Sequence, residues 1–554
     1  MSLHENTINK QQTQKRILIA TVISFAFFIA YDLLYLQPKQ ELVNQANAQA
    51  KQIQQNQSTQ SAQPNQTAPS TNAAPSTQNT TNAAPVSNAI NLNETIATIK
   101  TAKNIITIDN LGRVSQVTLL DTQYVDENQD HIKLFDQNQL RPLEVRFANA
   151  TINSEAFRVN VTSSSKELDA SGSSQTLVLT QKLKDTTLTK TLKFYPDGHY
   201  DLDIKSTNNA NFFVTPGFRP NVLADLYADH GALLALNDGT LNIIEDEDMD
   251  KSVNKIGVNV ASAFDRYYAT VLYNYDVSMA VSVMKDQNDS PNLFIDGKNG
   301  ISLHGYFGPK EYKTLTALDD RLSSVIEYGW FTFIAKPMFT MLQYIYDYVG
   351  NWGWTIVIVV ILIKLILWPL SHKGMVSMNR LKELAPKIKA IQEKYPNDKQ
   401  KASMHMMELY QKEGANPMGG CLPVLLQIPV FFAIYRVLVN AIELKGAEWI
   451  LWINDLAEMD PYFVLPILMG ATMYLQQKIT PNTMTDPLQQ KMFQWLPVVF
   501  TFFFLWFPAG LTLYWFINNL FTVGQQYYVN QIFEKAKVAR HQKHVEEKHQ
   551  KTKK

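Results

Sequence analysis

A lysine embedded in hydrocarbon is the first residue whose chemistry needs explaining. The run Trp354-Thr-Ile-Val-Ile-Val-Val-Ile-Leu-Ile-Lys364-Leu-Ile-Leu-Trp368-Pro369 is almost purely apolar, with a Trp near each end, and has most of the length of a membrane-crossing helix. Lys364 lies roughly 15 Å along such a helix from Trp354. At that depth an ammonium costs about 2.5–3.5 kcal/mol and normally faces a polar cavity or a partner. Two readings stand. Either Lys364 snorkels to the nearer interface, or it is a cation held in a wet pocket, where it attracts anionic groups.

Gln427 in the run Cys421–Val439, and Asn518 and Asn519 in Leu511–Val523, are the other polar side chains at membrane depth, the latter two beside Tyr514 and Trp515. Any one of them is explained by a hydrogen bond to a neighbouring helix. Lys364 is not, because the five apolar runs from Trp354 onward contain no Asp or Glu to neutralise it. Hydration is then its cheapest stabilisation, and the expected pocket opens toward the cytoplasm. No Ser/Lys, Asp/Asp or His/Glu constellation sits at membrane depth, so the chain does not read as an enzyme. Nor is a nucleotide, cofactor or metal site expected. A transporter or channel for a small solute would also hold a wet cavity, although no inverted repeat or midplane coupling carboxylate is visible.

The elements that must position these residues follow from the remaining composition. The 554 residues carry 50 Lys and Arg against 50 Asp and Glu, which gives no sign of a nucleic-acid binder. The single cysteine, Cys421, excludes an internal disulfide. Residues 1–36 end in the apolar run Ile17–Leu36 after Lys15-Arg16 and read as an uncleaved transmembrane anchor; 37–92 is a disordered linker of Gln, Asn, Ser, Thr, Ala and Pro. Alternating segments at Ile105–Ile108, Phe157–Val161, Thr176–Thr180, Leu188–Phe194 and Tyr200–Ile204 predict a β-sandwich over 93–325, outside the cytoplasm. Its histidines His131, His199, His230 and His304 show no ligand spacing and no obvious carboxylate partner.

Residues 326–352 predict an amphipathic surface helix, 353–370 a second span, and 371–418 a helical hairpin. The hairpin seam is Leu381, Leu384, Ile388, Ile391 and Tyr395; Pro386 within it predicts a kink or a helix start. Spans three to six fall within 419–530, before a basic tail at 531–554. The loops at 371–418 and 531–554 are basic and that at 441–461 is acidic, which orients six spans with both termini cytoplasmic.

Beyond these readings the sequence resembles the YidC-type membrane protein insertases of Gram-negative bacteria (the YidC/Oxa/Alb family). The motifs are Tyr328-Gly-Trp330, Val349-Gly-Asn-Trp-Gly353, Asn416-Pro-Met-Gly-Gly-Cys421, Leu426-Gln-Ile-Pro429, Leu465-Pro-Ile-Leu-Met-Gly470, Thr485-Asp-Pro487 and Phe504-Leu-Trp-Phe-Pro508, with Gly308-Pro309 closing the outer domain. The resemblance implies a polytopic α-helical membrane protein with a five-helix insertase core, a large periplasmic β-supersandwich domain, and residence in the bacterial inner membrane. It implies a hydrophilic groove closed on the outer side, with Lys364 where the family usually has Arg, matched also at Gln427 and Trp506, with Tyr514, Trp515 and Asn518 nearby. The same likeness implies a substrate slide along the third and fifth spans at Leu425, Leu426, Ile428, Pro429, Phe432, Val499 and Phe503. Implied partners are nascent integral membrane proteins, membrane lipids, the Sec translocon with its accessory subunits, and ribosomes and signal-recognition targeting factors at the cytoplasmic face.

Overall fold

A computed structural model describes residues 94–552, apart from 126–129, 137, 221, 223–229, 247–248, 250, 299, 327, 397, 415–421 and 481–486. The expected anchor, the expected linker and the motif Asn416–Cys421 lie outside the described residues, as do Thr485 and Asp486. The contacts that follow are within one compact unit, Ala73–Thr485 with Met492–Lys554.

Alternating apolar residues build its first half into two sheets. Four strands run in the order Val114–Leu119, Asn104–Asp109, Thr95–Lys100 and Glu167–Asp169, the last pairing parallel to its neighbour. A thirteen-stranded sheet has Val253–Phe264, Tyr268–Tyr273, Ile301–Pro309, His199–Ser206, Thr187–Phe194 and Gln175–Lys182 as consecutive antiparallel neighbours. Gly305 stands opposite Tyr200 in this ladder, and a Cβ there would lie 2.1 Å from the Tyr200 ring. The missing side chain lets Tyr200 lie flat and stack on Phe307 at 4.8 Å. A turn at Tyr195–His199 joins two of these strands, whereas Phe157–Val161, expected as a strand, is not one. Its first amides still bond back to Asn153 and Glu155 as the chain leaves α1 (Ala150–Ala156), so they are unavailable to a ladder.

The two sheets are joined by charge as well as by apolar packing. The Lys190 ammonium donates to the Gly112 and Leu143 carbonyls at 2.8 and 2.7 Å, and burial pulls it down to about 8. Asp109, fully buried, accepts from Arg113 at 2.8 Å and Arg141 at 2.7 Å. Contrary to the sequence expectation, three of the histidines do find carboxylates: His199 bonds Asp197, His304 bonds Asp201, and His230 lies 3.3 Å from Asp246. Among the described residues no three His, Cys, Asp or Glu side chains gather as metal ligands.

The second half is helical: α2 (Tyr312–Leu318), α3 (Thr332–Val349), α4 (Trp352–Ile366), α5 (Trp368–Lys394), α6 (Lys399–Lys412), α7 (Leu422–Asn440), α8 (Val464–Ile479), α9 (Pro487–Phe503) and α10 (Ala509–Thr552). The amphipathic α3 buries Ala335, Met338, Phe339 and Leu342 and exposes Phe333, Tyr344 and Tyr348. The expected second span is broken: α4 and α5 meet at a 64° bend, where Pro369 supplies no amide to continue the ladder. No single helix among the described residues is long and apolar enough to cross a membrane alone; α4 and α5 together pass by length and composition. Helix lengths therefore do not count out six spans. The hairpin packs on itself through Leu381, Leu384 and Ile388 against Met406 and Leu409, and α5 passes through Pro386 instead of starting there.

The last turn of α7 and the short loop after it anchor the β-rich half to the helices. The Tyr312 amide, opening α2, donates to Glu443 at 2.9 Å, Arg266 to the Val439 carbonyl at 2.8 Å, and Gln123 to the Lys445 carbonyl at 2.8 Å. Burial, with Glu311 adding its repulsion, pushes the Glu443 carboxyl up to about 7. Between the ordinary carboxylate range and about pH 7 the folded chain holds a proton that the unfolded chain has released. Its stability from this group is therefore greatest in acid and falls as pH rises through that window. Glu443→Gln keeps an acceptor for Tyr312 without a charge. The expected outcome is a melting temperature that drops less in the variant than in the parent between about pH 5 and about pH 8, followed by thermal unfolding in detergent.

Candidate functional site

Asn351 starts α4 by accepting the Trp354 amide at 3.0 Å, and an unbroken aliphatic run carries the helix to Lys364, two residues before its end. Lys364 is only 7 % exposed. Its ammonium donates to Thr522 Oγ1 at 2.9 Å, and that hydroxyl donates onward to the Asn518 carbonyl at 2.7 Å. From α7, Gln427 Nε2 donates to Asn518 Oδ1 at 3.0 Å. Three helices thus converge through one continuous set of hydrogen bonds.

Around this set lies a small pocket whose polar lining is Lys364, Ser371, Gln427, Tyr514 and Asn518, with aliphatic walls from Val360 and Val430. Among the described residues no carboxylate lines it. A buried ammonium keeps its charge only if its N–H groups find acceptors, and Thr522 takes one of the three. Water or an anionic ligand in the cavity can take the others.

Lys364, Gln427, Tyr514 and Asn518 are therefore brought together, whereas Trp506 and Trp515 are not part of the lining. Trp515 follows Tyr514 by one residue, about 100° round the helix. It packs among Phe431, Phe500 and Phe504, with centroids 4.6, 5.9 and 5.0 Å away. Trp506, in the 3₁₀ turn Phe504–Trp506, is exposed and meets Phe502 edge-on at 4.9 Å.

Of the expected slide, Ile428, Phe432 and Phe503 are exposed, and Pro429 and Val499 are half-buried. The side chains of Leu425 and Leu426 lie outside the described residues. One face of Phe432 is already covered, since Phe331 stacks on it at 5.7 Å.

A second polar cluster escaped the sequence reading. Asn379 of α5 donates to Asn530 Oδ1 at 2.9 Å, Gln526 donates to the same oxygen at 2.7 Å, and Asn530 Nδ2 donates to the Ile479 carbonyl at the end of α8 at 2.9 Å. Its signal was nonetheless present. Tyr514, Asn518, Thr522, Gln526 and Asn530 repeat every four residues along α10, one ridge of polar side chains about 24 Å long. The upper members serve the cavity and the lower ones tie α5 and α8. Asn519, which stands out equally in the sequence, is off this ridge, and its Nδ2 has no acceptor among the described residues. Replacing Asn530 by Leu removes three hydrogen bonds from one site. Amide exchange in α5 and at the C-terminus of α8 is expected to quicken about tenfold, with α4 unaffected, as read by mass spectrometry.

The geometry can be set beside known proteins. The family model described as "60Kd inner membrane protein" matches residues 344–537, and that described as "YidC periplasmic domain" matches 96–341. The Campylobacter jejuni protein named membrane protein insertase YidC is 48% identical over 96% of this chain and 98% of its own. The protein of that name from Wolinella succinogenes is 44% identical over 96% and 98%, and that from Helicobacter pylori strain 26695 is 48% identical over 78% and 83%. With identity near one half over almost the full length of both partners, the chain belongs to the YidC family of membrane protein insertases.

Proposed function

We propose that this chain inserts and folds integral membrane proteins in the bacterial inner membrane, by itself or with the Sec translocon. The observation that carries the reading is the buried Lys364 ammonium in a polar cavity that, among the described residues, no carboxylate lines. Such a pocket shortens the hydrocarbon barrier for a polar flank, and its cation draws acidic flanks in. The apolar part of a client then leaves along Ile428, Phe432 and Phe503, where burial in lipid is favourable. No chemical step is needed, so the chain acts without being an enzyme. The relatives favour this reading over the solute transporter that the sequence left open.

The topology proposed with it has six spans and both termini cytoplasmic. An anchor at 1–36 and a linker at 37–92 lead to a periplasmic domain at 93–325 and a surface helix at 326–352. The core comprises 353–370 and 419–530. The hairpin at 371–418 and the tail at 531–554 meet ribosomes and targeting factors. The exposed Phe333, Tyr344 and Tyr348 of α3 support its lying against lipid headgroups.

The test is insertion of a single-span client into proteoliposomes, made with an acidic and with a neutral translocated flank. Insertion of either form without ion leak is expected. Lys364→Arg should keep the preference for the acidic flank, because the functional element is positive charge, and Lys364→Glu should reverse it. Equal behaviour of parent and Lys364→Glu toward both clients would remove the charge from the mechanism.

A further inference from the structure

A long, flexible side chain can satisfy its charge by leaving the pocket, and something must stop it. Lys364 is two residues from the end of α4, so its amine has the reach to turn toward the nearer surface. Instead it points to α10. The one hydrogen bond recorded for it among the described residues is to Thr522 Oγ1 at 2.9 Å. A threonine hydroxyl has a single proton, and Thr522 gives it to the Asn518 carbonyl one turn back, at 2.7 Å. That leaves the oxygen as a pure acceptor with a fixed direction. The rotamer is fixed twice, by the backbone bond and by the β-branch. The same Asn518 accepts from Gln427 of α7 through its side-chain Oδ1 at 3.0 Å, which ties this turn of α10 to a second helix.

We infer that Thr522 is a positioning residue that holds the Lys364 ammonium at pocket depth, so that the cation faces clients instead of the aqueous surface. This rests on the proposed role of the Lys364 charge, and goes beyond it by naming what keeps the charge in place. Thr522→Val keeps shape and β-branching and deletes the hydroxyl, with both the bond it accepts from Lys364 and the one it donates to Asn518; Thr522→Ser restores it. The charge-assisted bond is of a size that shifts the balance between the two lysine orientations about tenfold.

The experiment uses full-length protein in inverted inner-membrane vesicles. A membrane-impermeant amine-acylating reagent is added from the cytoplasmic side and modification of Lys364 is quantified by mass spectrometry. In parallel, the ratio of acidic-flank to neutral-flank insertion is measured, with Lys364→Met as the reference for lost charge. Thr522→Val is expected to raise Lys364 labelling about tenfold and to move the ratio to that of Lys364→Met, with Thr522→Ser close to the parent in both. Unchanged labelling in Thr522→Val, or loss in Thr522→Ser equal to that in Thr522→Val, overturns the inference. Raised labelling with a ratio that neither Thr522→Val nor Lys364→Met alters supports the positioning role and overturns the proposed use of the charge instead.

Discussion

Taking an ammonium out of water without a counter-ion is the constraint to which the helical half of this protein answers. Among the described residues no carboxylate lines the cavity of Lys364, and the contacts these residues offer it come from dipoles. The protein supplies a hydroxyl, two amides and a phenol from α7 and α10, and stops α4 within one turn of the lysine. A carboxylate at the same place would satisfy the lysine more fully and would also cancel its field. Leaving the ion under-satisfied costs stability and keeps the field available, which is the usual bargain at functional sites.

The helix α10 is where this demand becomes architecture. Its polar ridge advances about 40° around the helix at each four-residue step, so successive members face different neighbours. Tyr514 and Asn518 face the cavity, Thr522 meets α4, and Asn530 meets α5 and α8. A straight polar stripe would have served one partner only. The β-rich half is tied in at the opposite end, where Glu443 and the carbonyls around it receive donors from the start of α2 and from two turns of the β-rich half. The two ends of the bundle are thus held by different chemistry: amide pairs at one, and a protonatable carboxyl at the other.

How much of this was legible in the sequence varied with how unusual each residue is in its setting. Lys364 was conspicuous because a charge in an apolar run has few innocent explanations. The strands were conspicuous because alternation has a period of two, as at Thr187–Phe194. Thr522 and Asn530 were not, since threonine and asparagine are ordinary in any helix, and only their common spacing from Tyr514 distinguishes them. The aromatic surroundings of Trp515 were opaque for another reason: Phe431, Phe500 and Phe504 come from two other segments, and local pattern carries no information about which aromatics will meet. Pro369 ends the apolar run in the sequence, and in the structure it lies at the corner where α4 meets α5 at 64°.

The continuity of α10 has an electrostatic consequence. The basic tail is a prolongation of the helix that lines the cavity, unbroken to Thr552 and braced against α5 where Lys537 lies 3.3 Å from Glu383. A helix rises 1.5 Å per residue, so Thr552 stands about 33 Å beyond Asn530 along a stiff rod. The ionic atmosphere next to anionic headgroups fades over about 8 Å at physiological salt. On the topology proposed above, a coil of the same sequence would collapse onto that charged surface, whereas a rod carries the segment past several screening lengths from it.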